Sequence, residues 1–225
     1  MPYGGGSGGF PPDRVWYTSY GSNMHLGRLA CYVRGGRPAG ASRTYPGCRD
    51  RRMPARSVAV ELAGAVYFAT ASPVWGGGRA FYDPLARGRV LARAHLVTVE
   101  QFSDIAAQEM YRAPGADVDL TEVLAHGRAA LGDGRYETLV RVGSVDGLPL
   151  LTFTAPWKLG EVAPHPPSAS YVRCLATGLL ATRAWDAETV AAYVAGCSGA
   201  SGRWSVDAVR DLLEANRFEE PLPGA

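Results

Sequence analysis

Two stretches of the 225-residue chain combine residue types that could bind a small molecule and act on it. The first is Val15-Trp16-Tyr17-Thr18-Ser19-Tyr20-Gly21-Ser22-Asn23-Met24, a β-rich apolar segment that stops at Gly21. A helical spacing begins at once with Leu26, Leu29, Ala30 and Val33 and closes at Gly35-Gly36. Gly21 is read as the residue that permits positive φ and close backbone approach. At such a strand-to-helix turn the backbone N–H groups lack partners and the helix dipole favours an anion. Gly21, Ser22 and Asn23 therefore form either a cradle for a carboxylate or phosphate, or a plain helix cap supplied by Ser22 or Asn23.

The second stretch is a helix expected from Val99 to Arg112, opened by a capping box of Thr98 and Gln101. At 100° per residue, Phe102, Ile105 and Ala106 share its apolar face. Glu109 lies seven, four and three residues further on, so it projects from the middle of that face. Glu100 and Asp104 are expected to turn toward solvent. A carboxyl on the buried side of a helix is costly unless it is paired or used, and burial raises its pKa toward the range of a general acid or base. Glu109 thus reads as a catalytic base or as a buried, hydrogen-bonded structural carboxyl.

Positioning these groups requires a frame of strands and helices. Residues 1–12 are a Gly/Pro-rich lead, expected to be flexible, and residues 13–225 read as one domain. Gly4, Gly6 and Gly9 match G-x-G-x-x-G, but no strand precedes them and no helix follows, so they carry no dinucleotide signal. Residues 36–57 form a long Pro/Gly/Arg loop. Strand composition marks residues 58–70, broken at Gly64, and residues 90–98. Residues 138–145 and 148–155 form a hairpin through Asp146-Gly147, a type I′ signal. Further helices are expected from Thr121 to Gly132 with an Asp119/Glu122 box, and over 168–180, 186–195 and 205–216. Without a regular β-α-β rhythm, the pattern is α+β, with a mixed sheet closing into a small barrel and helices outside it.

Bulk composition narrows the function classes. A net charge of +2 is nearly balanced, and the Arg49, Arg51, Arg52, Arg56 cluster lacks interleaved aromatics, so no nucleic-acid surface is expected. No apolar run reaches membrane-spanning length and no secretory leader is evident, which places the expectation in the cytoplasm. Cys31, Cys48, Cys174 and Cys197 show no C-x-x-C spacing, consistent with reduced thiols. His25, His95, His126 and His165 are isolated, so neither a metal site nor a cofactor is expected. Asp83, in Phe81-Tyr82-Asp83-Pro84, reads as a turn former.

Tyr20-Gly21-Ser22-Asn23, set between strand and helix, resembles the substrate-holding loop of the γ-glutamylcyclotransferase superfamily. Other stretches resemble that family in chain order. Trp75-Gly76-Gly77 is similar to its Trp-x-Gly-Gly turn, and Gln108-Glu109, after the Ala94–Thr98 strand, to the setting of its catalytic Glu. Tyr136 precedes the Thr138–Val142 strand as a family Tyr does, and Leu150–Ala155 resembles the next paired strand. Pro167-Ser168-Ala169-Ser170-Tyr171 resembles the opening of its C-terminal helix. The resemblance spans residues 15 to 196. It departs from the family at Ala106, where an Asp is usual, in an insertion over 111–135, and in a last helix beyond the match.

The resemblance implies a metal-independent enzyme that cleaves a γ-glutamyl amide or peptide to 5-oxoproline and an amine. Glu109 would be the general acid/base, with Tyr20, Gly21, Ser22, Asn23, Met24, Trp75, Tyr136 and Tyr171 around the substrate. Tyr20, Tyr136 and Tyr171 would serve as donors to the tetrahedral oxyanion. The partner would be a small molecule, with no nucleic acid and no membrane. The same pocket would also suit an amidohydrolase or lyase on another amino-acid-derived amide, or a non-catalytic metabolite-binding module. Oligomeric state and the identity of the released amine are not legible.

Overall fold

The computed structural model describes residues 12–38 and 43–217. The Gly/Pro-rich lead, apart from Pro12, lies outside the described residues. The architecture is α+β. Eight strands occupy Arg14–Ser19 (β1), Ser57–Ala63 (β2), Ala65–Ser72 (β3), Gly77–Asp83 (β4), Arg89–Thr98 (β5), Arg128–Ala130 (β6), Thr138–Val145 (β7) and Leu148–Thr154 (β8). Six helices occupy Leu26–Arg34 (α1), Val99–Glu109 (α2), Thr121–His126 (α3), Ala169–Leu180 (α4), Ala187–Gly196 (α5) and Val206–Arg217 (α6), and Ser22–Met24 forms a single 3₁₀ turn.

Six strands make one mixed sheet in the order β2-β5-β1-β8-β7-β6. Its β1–β8 pair is parallel and its other pairs are antiparallel. β1 is central and, after Arg14, buried throughout, which explains its run of apolar and β-branched residues without alternation. β3 and β4 pair separately as a hairpin. Thr154 Oγ1 ties that hairpin to β8, accepting from the Tyr82 amide at 3.1 Å and donating to the Tyr82 carbonyl at 2.7 Å. β4 is absent from the sequence reading because its Gly77-Gly78 start lacks strand propensity. There the backbone of residues 165–168 comes too close for any side chain.

The β7–β8 hairpin turns through Asp146 and Gly147, both at positive φ (51° and 76°), as the Asp-Gly pair dictates. α2 carries the expected capping box, with Thr98 Oγ1 accepting from the Gln101 amide. α4 and α5 start at Ser168 and Asp186 caps. α3 corrects the expectation. It ends at left-handed Gly127 rather than Gly132, and no side chain caps it. Asp119 instead accepts from the Thr121 amide in a two-residue turn. The freed residues form β6. Among the described residues, no helix is long and apolar enough to cross a membrane.

Apolar packing divides on either side of the sheet. α2 and α1 place Phe102, Ile105, Leu29 and Val33 against Tyr17, Leu151 and Phe153. α4, α5 and α6 bring Val172, Leu175, Leu179, Val190 and Val209 against the β3–β4 hairpin and β5. The candidate site opens where the 3₁₀ turn, the end of α2 and the start of α4 converge.

Candidate active site

The 3₁₀ turn is held by its carbonyls. His95, fully buried on β5, uses Nε2 to donate to the Asn23 carbonyl at 3.0 Å, while its Nδ1 accepts from the Ser57 hydroxyl at 2.7 Å. A carbonyl can only accept, so this pairing sets the neutral Nε2–H tautomer. Burial, with Arg93 nearby, pushes the His95 pKa down to about 3, so the ring stays neutral. Two residues earlier on the same face of β5, Arg93 donates to the Met24 carbonyl at 3.1 Å. The Ser22 carbonyl accepts from the His25 amide and from Cys174 Sγ. α4 can come this close because Gly178 faces the turn. A Cβ there would lie 2.7 Å from the His25 nitrogen.

With Ser22, Asn23 and Met24 tied through their carbonyls, the amides of Gly21, Ser22 and Asn23 engage no backbone acceptor among the described residues. The strand-to-helix turn exists as expected, but two details differ. Gly21 has φ −118°, not a positive value, and the residue before α1 is His25, so neither Ser22 nor Asn23 caps that helix. A Cβ at position 21 would stand 3.4 Å from the Tyr171 hydroxyl, an ordinary contact, so neither φ nor space demands glycine there.

Glu109 is the last residue of α2 and faces the cavity wall. Asn23 Nδ2 donates both to Glu109 Oε1, at 3.2 Å, and to the Tyr17 hydroxyl, at 3.1 Å. Burial raises the Glu109 pKa above the usual carboxylate value, with Tyr32, Arg28, Arg43 and Asn23 pulling it partly back. The Asn23 Oδ1 atom is buried without any hydrogen-bond partner. An unused acceptor thus sits on the same side chain that bonds a carboxyl of raised pKa.

A cavity of about 640 Å³, counted out to its mouth, brings these groups together, within the size range of small-molecule sites. Tyr20, Gly21, Ser22, Asn23, Trp75, Glu109, Tyr136 and Tyr171 all line it. Met24 does not. Its side chain is 1% exposed and packs in the core beside α4, because the 3₁₀ turn rotates it away from its neighbours. The tyrosines also differ from expectation. Tyr20 and Tyr136 donate their hydroxyl protons to the carbonyls of Phe153 and Ala80, at 2.9 and 3.0 Å. The hydroxyls of Tyr171 and Tyr17 instead accept, from the Ala80 amide and from Asn23, so their protons remain available. Trp75 stacks on Tyr171 at 4.8 Å, which holds that ring against the cavity.

Several wall residues were missed from the sequence: Tyr17, Arg28, Tyr32, Arg43, Tyr45 and Tyr111. A signal existed for two of them. Arg28 and Tyr32 are four apart on α1, hence on one face beside Leu29 and Val33. No local signal marks Tyr45 or Tyr111, which arrive from a loop and from the inserted segment. Tyr111 has φ +60° and lies between the guanidiniums of Arg43 and Arg135, 4.1 and 4.7 Å from its ring centre.

The largest correction concerns Asp104. It is fully buried, not solvent-facing, and accepts from the Arg49 amide at 2.8 Å and from Arg49 Nε at 3.0 Å. The 43–52 loop folds over this side of α2 and brings Arg49 to it, which helical periodicity cannot reveal. Asp83 is a turn former as read, accepting from the Leu85 amide at 2.9 Å. Among the described residues, no group of three or more His, Cys, Asp and Glu is placed to hold a metal ion.

No family model matches the chain. In an alignment of 203 residues that covers 80% of the chain, it is 30% identical to Histone deacetylase 5 of Arabidopsis thaliana. The match spans only 30% of that relative's length, and the relative's name describes the longer protein. Among solved structures the chain aligns with a gamma-glutamyl cyclotransferase and with an uncharacterized protein from Homo sapiens. Each alignment has 14% identity and a TM-score of 0.48, covering 90% of this chain and 99% of the other. Function is therefore argued from the cavity.

Proposed function

We propose that residues 13–225 act as one catalytic unit, a cyclotransferase-like enzyme that converts a γ-glutamyl amide to 5-oxoproline and an amine. The observation that carries this reading is the pairing of Glu109, whose pKa is raised by burial, with the unpartnered Asn23 Oδ1 on one cavity wall. An unpartnered acceptor beside a carboxyl suits a substrate ammonium. The Gly21–Asn23 amides suit its α-carboxylate. The resemblance of the Tyr-Gly-Ser-Asn turn to the γ-glutamylcyclotransferase loop points the same way.

The chemistry then needs no protein nucleophile. Glu109 takes a proton from the α-ammonium, and the freed amine attacks the γ-carbonyl, forming the ring C–N bond. Negative charge develops on the carbonyl oxygen, where the hydroxyl protons of Tyr171 and Tyr17 are the available donors. Protonated Glu109 passes its proton to the departing nitrogen and then takes the second proton from the ring nitrogen. The original C–N bond breaks, and 5-oxoproline leaves with the amine, which receives that second proton. Amine and carbonyl belong to one substrate molecule, so the attack is intramolecular and the pocket need only hold the two groups in the near-attack shape. A carboxyl of raised pKa is suited to these transfers.

The direct test is to incubate the protein with a panel of γ-glutamyl amides and follow products by mass spectrometry. The reading expects 5-oxoproline. Free glutamate would assign hydrolysis instead, and unchanged ligands that bind would assign a metabolite-binding module.

A further inference from the structure

Asp83 is a turn former, and both of its carboxylate oxygens are occupied in that role. The side chain is buried, with Oδ1 accepting from the Leu85 amide at 2.9 Å and Oδ2 from the Leu159 amide at 3.0 Å. One carboxylate thus ties together two turns, each of which presents a leucine to solvent. Leu85 is 75% exposed and Leu159 is 37% exposed. Leu85 lines a second cavity, of about 900 Å³ counted out to its mouth, together with Pro84, Val140, Ala155, Pro156 and Trp157. This cavity shares no wall residue with the candidate active site.

The same wall carries four exposed basic residues: His126 at the end of α3, Arg128 on β6, Arg141 on β7, and Lys158. Among the described residues, no ion pair or side-chain hydrogen bond engages any of the four. Elsewhere the pattern differs, since Arg49, Arg52, Arg56, Arg89 and Arg112 each reach a carboxylate. Asp83, the one carboxyl lining this cavity among the described residues, has both oxygens taken by amides. Glu161 accepts from the Lys158 backbone amide at 2.8 Å and leaves the ammonium unpaired. Two guanidiniums and an ammonium therefore border an apolar wall without an ion-pair partner, in a chain whose net charge is only +2. Such a field attracts an anion, and the exposed apolar surface favours one with a hydrophobic body. We infer that this cavity binds an amphipathic organic anion, a carboxylate carried on an aliphatic chain. Leu85, Pro156 and Trp157 cover the chain, and Arg128, Arg141 and Lys158 draw the head. The volume lies within the range of small-molecule sites. The inference stands apart from the cyclotransferase reading, since none of these residues lines the cavity that holds Glu109.

Octanoate, octan-1-ol and acetate separate the contributions of head and chain. In calorimetry on the full chain, octanoate should bind about tenfold or more tightly than octanol, the scale of a charge-assisted hydrogen bond, and acetate should give no measurable binding. Lys158 is the only lysine in the chain, so its acetylation by N-hydroxysuccinimidyl acetate, read by mass spectrometry, reports occupancy of this cavity directly. Octanoate should slow that acetylation, and acetate should not. The double variant Arg128→Gln, Lys158→Gln should lose the preference for octanoate over octanol, while Leu85→Ser should weaken both ligands together. Failure of octanoate to bind, equal binding of octanol, or unchanged Lys158 acetylation in saturating octanoate each overturns the inference on the wild-type protein alone. Octanoate affinity that is unaltered in the double variant overturns it as well, by placing the anion elsewhere.

Discussion

Helix α2 carries two buried-side carboxyl groups five residues apart, and they differ in everything but type. Asp104, at 0% exposure, is closed off by Arg49, which supplies its backbone amide and its guanidinium. Glu109 faces a cavity, receives one hydrogen bond from Asn23, and has a pKa raised by burial. The first carboxylate has its charge matched by a rigid partner and is structural. The second is left short of partners beside open space, the condition that makes a carboxyl useful in proton transfer. The two carboxyls differ both in partner and in access to the cavity, since Glu109 is partly buried and Asp104 wholly so.

The largest effect should come from removing the second carboxyl. Glu109→Gln should lower turnover by about a hundredfold or more, the scale of a lost general base, while circular dichroism and melting remain those of a folded protein. Activity close to wild type would end the comparison by making Glu109 as structural as Asp104.

A sharper experiment turns Asp104 into a carboxyl like Glu109. Arg49→Gln withdraws the guanidinium and leaves a buried carboxylate short of partners. Stability should fall by about 2 kcal/mol, reduced from the cost of breaking a fully buried pair because Arg49 is one-third exposed. Arg49→Lys should recover part of that loss, since it returns the charge without the planar fork that pairs with Asp104. An equal loss in Arg49→Gln and Arg49→Lys in denaturant melts would show that Arg49 matters through packing of the loop.

Glu109 should show the converse in stability. Its folded pKa is raised, so the protonated form favours folding. Its contribution is fully present below the ordinary carboxylate value and is lost as pH rises through the raised one. Glu109→Gln removes that loss. The variant should therefore be more stable than wild type in denaturant melts at neutral pH, and the difference should close as the pH falls below the ordinary carboxylate range. A variant destabilised equally at both pH values would mean that the carboxyl supports the fold.

The smallest effect belongs to Glu100, half-buried at the start of α2 and 3.7 Å from Arg49. Glu100→Gln should change stability by less than about 0.5 kcal/mol and leave turnover unaltered. A large loss would show that the Arg49 cluster acts as one unit.

The sequence by itself determined the features that depend on neighbours along the chain. The capping box of Thr98 and Gln101, the Asp146-Gly147 turn, the Ser168 and Asp186 caps and the buried face carrying Glu109 all follow from short-range geometry. So does the strand–Tyr-Gly-Ser-Asn–helix order that places the turn. Only the tertiary structure decided which groups the elements bring to one another. The 43–52 loop gives Asp104 its Arg49 and the cavity its Arg43 and Tyr45. β5 sends His95 and Arg93 to hold the carbonyls of Asn23 and Met24, and the same turn rotates Met24 into the core. Helical periodicity places a side chain on a face but says nothing of the partner that meets it there. For a buried carboxyl, that partner sets the balance between desolvation and pairing, and with it whether the group is structural like Asp104 or poised like Glu109.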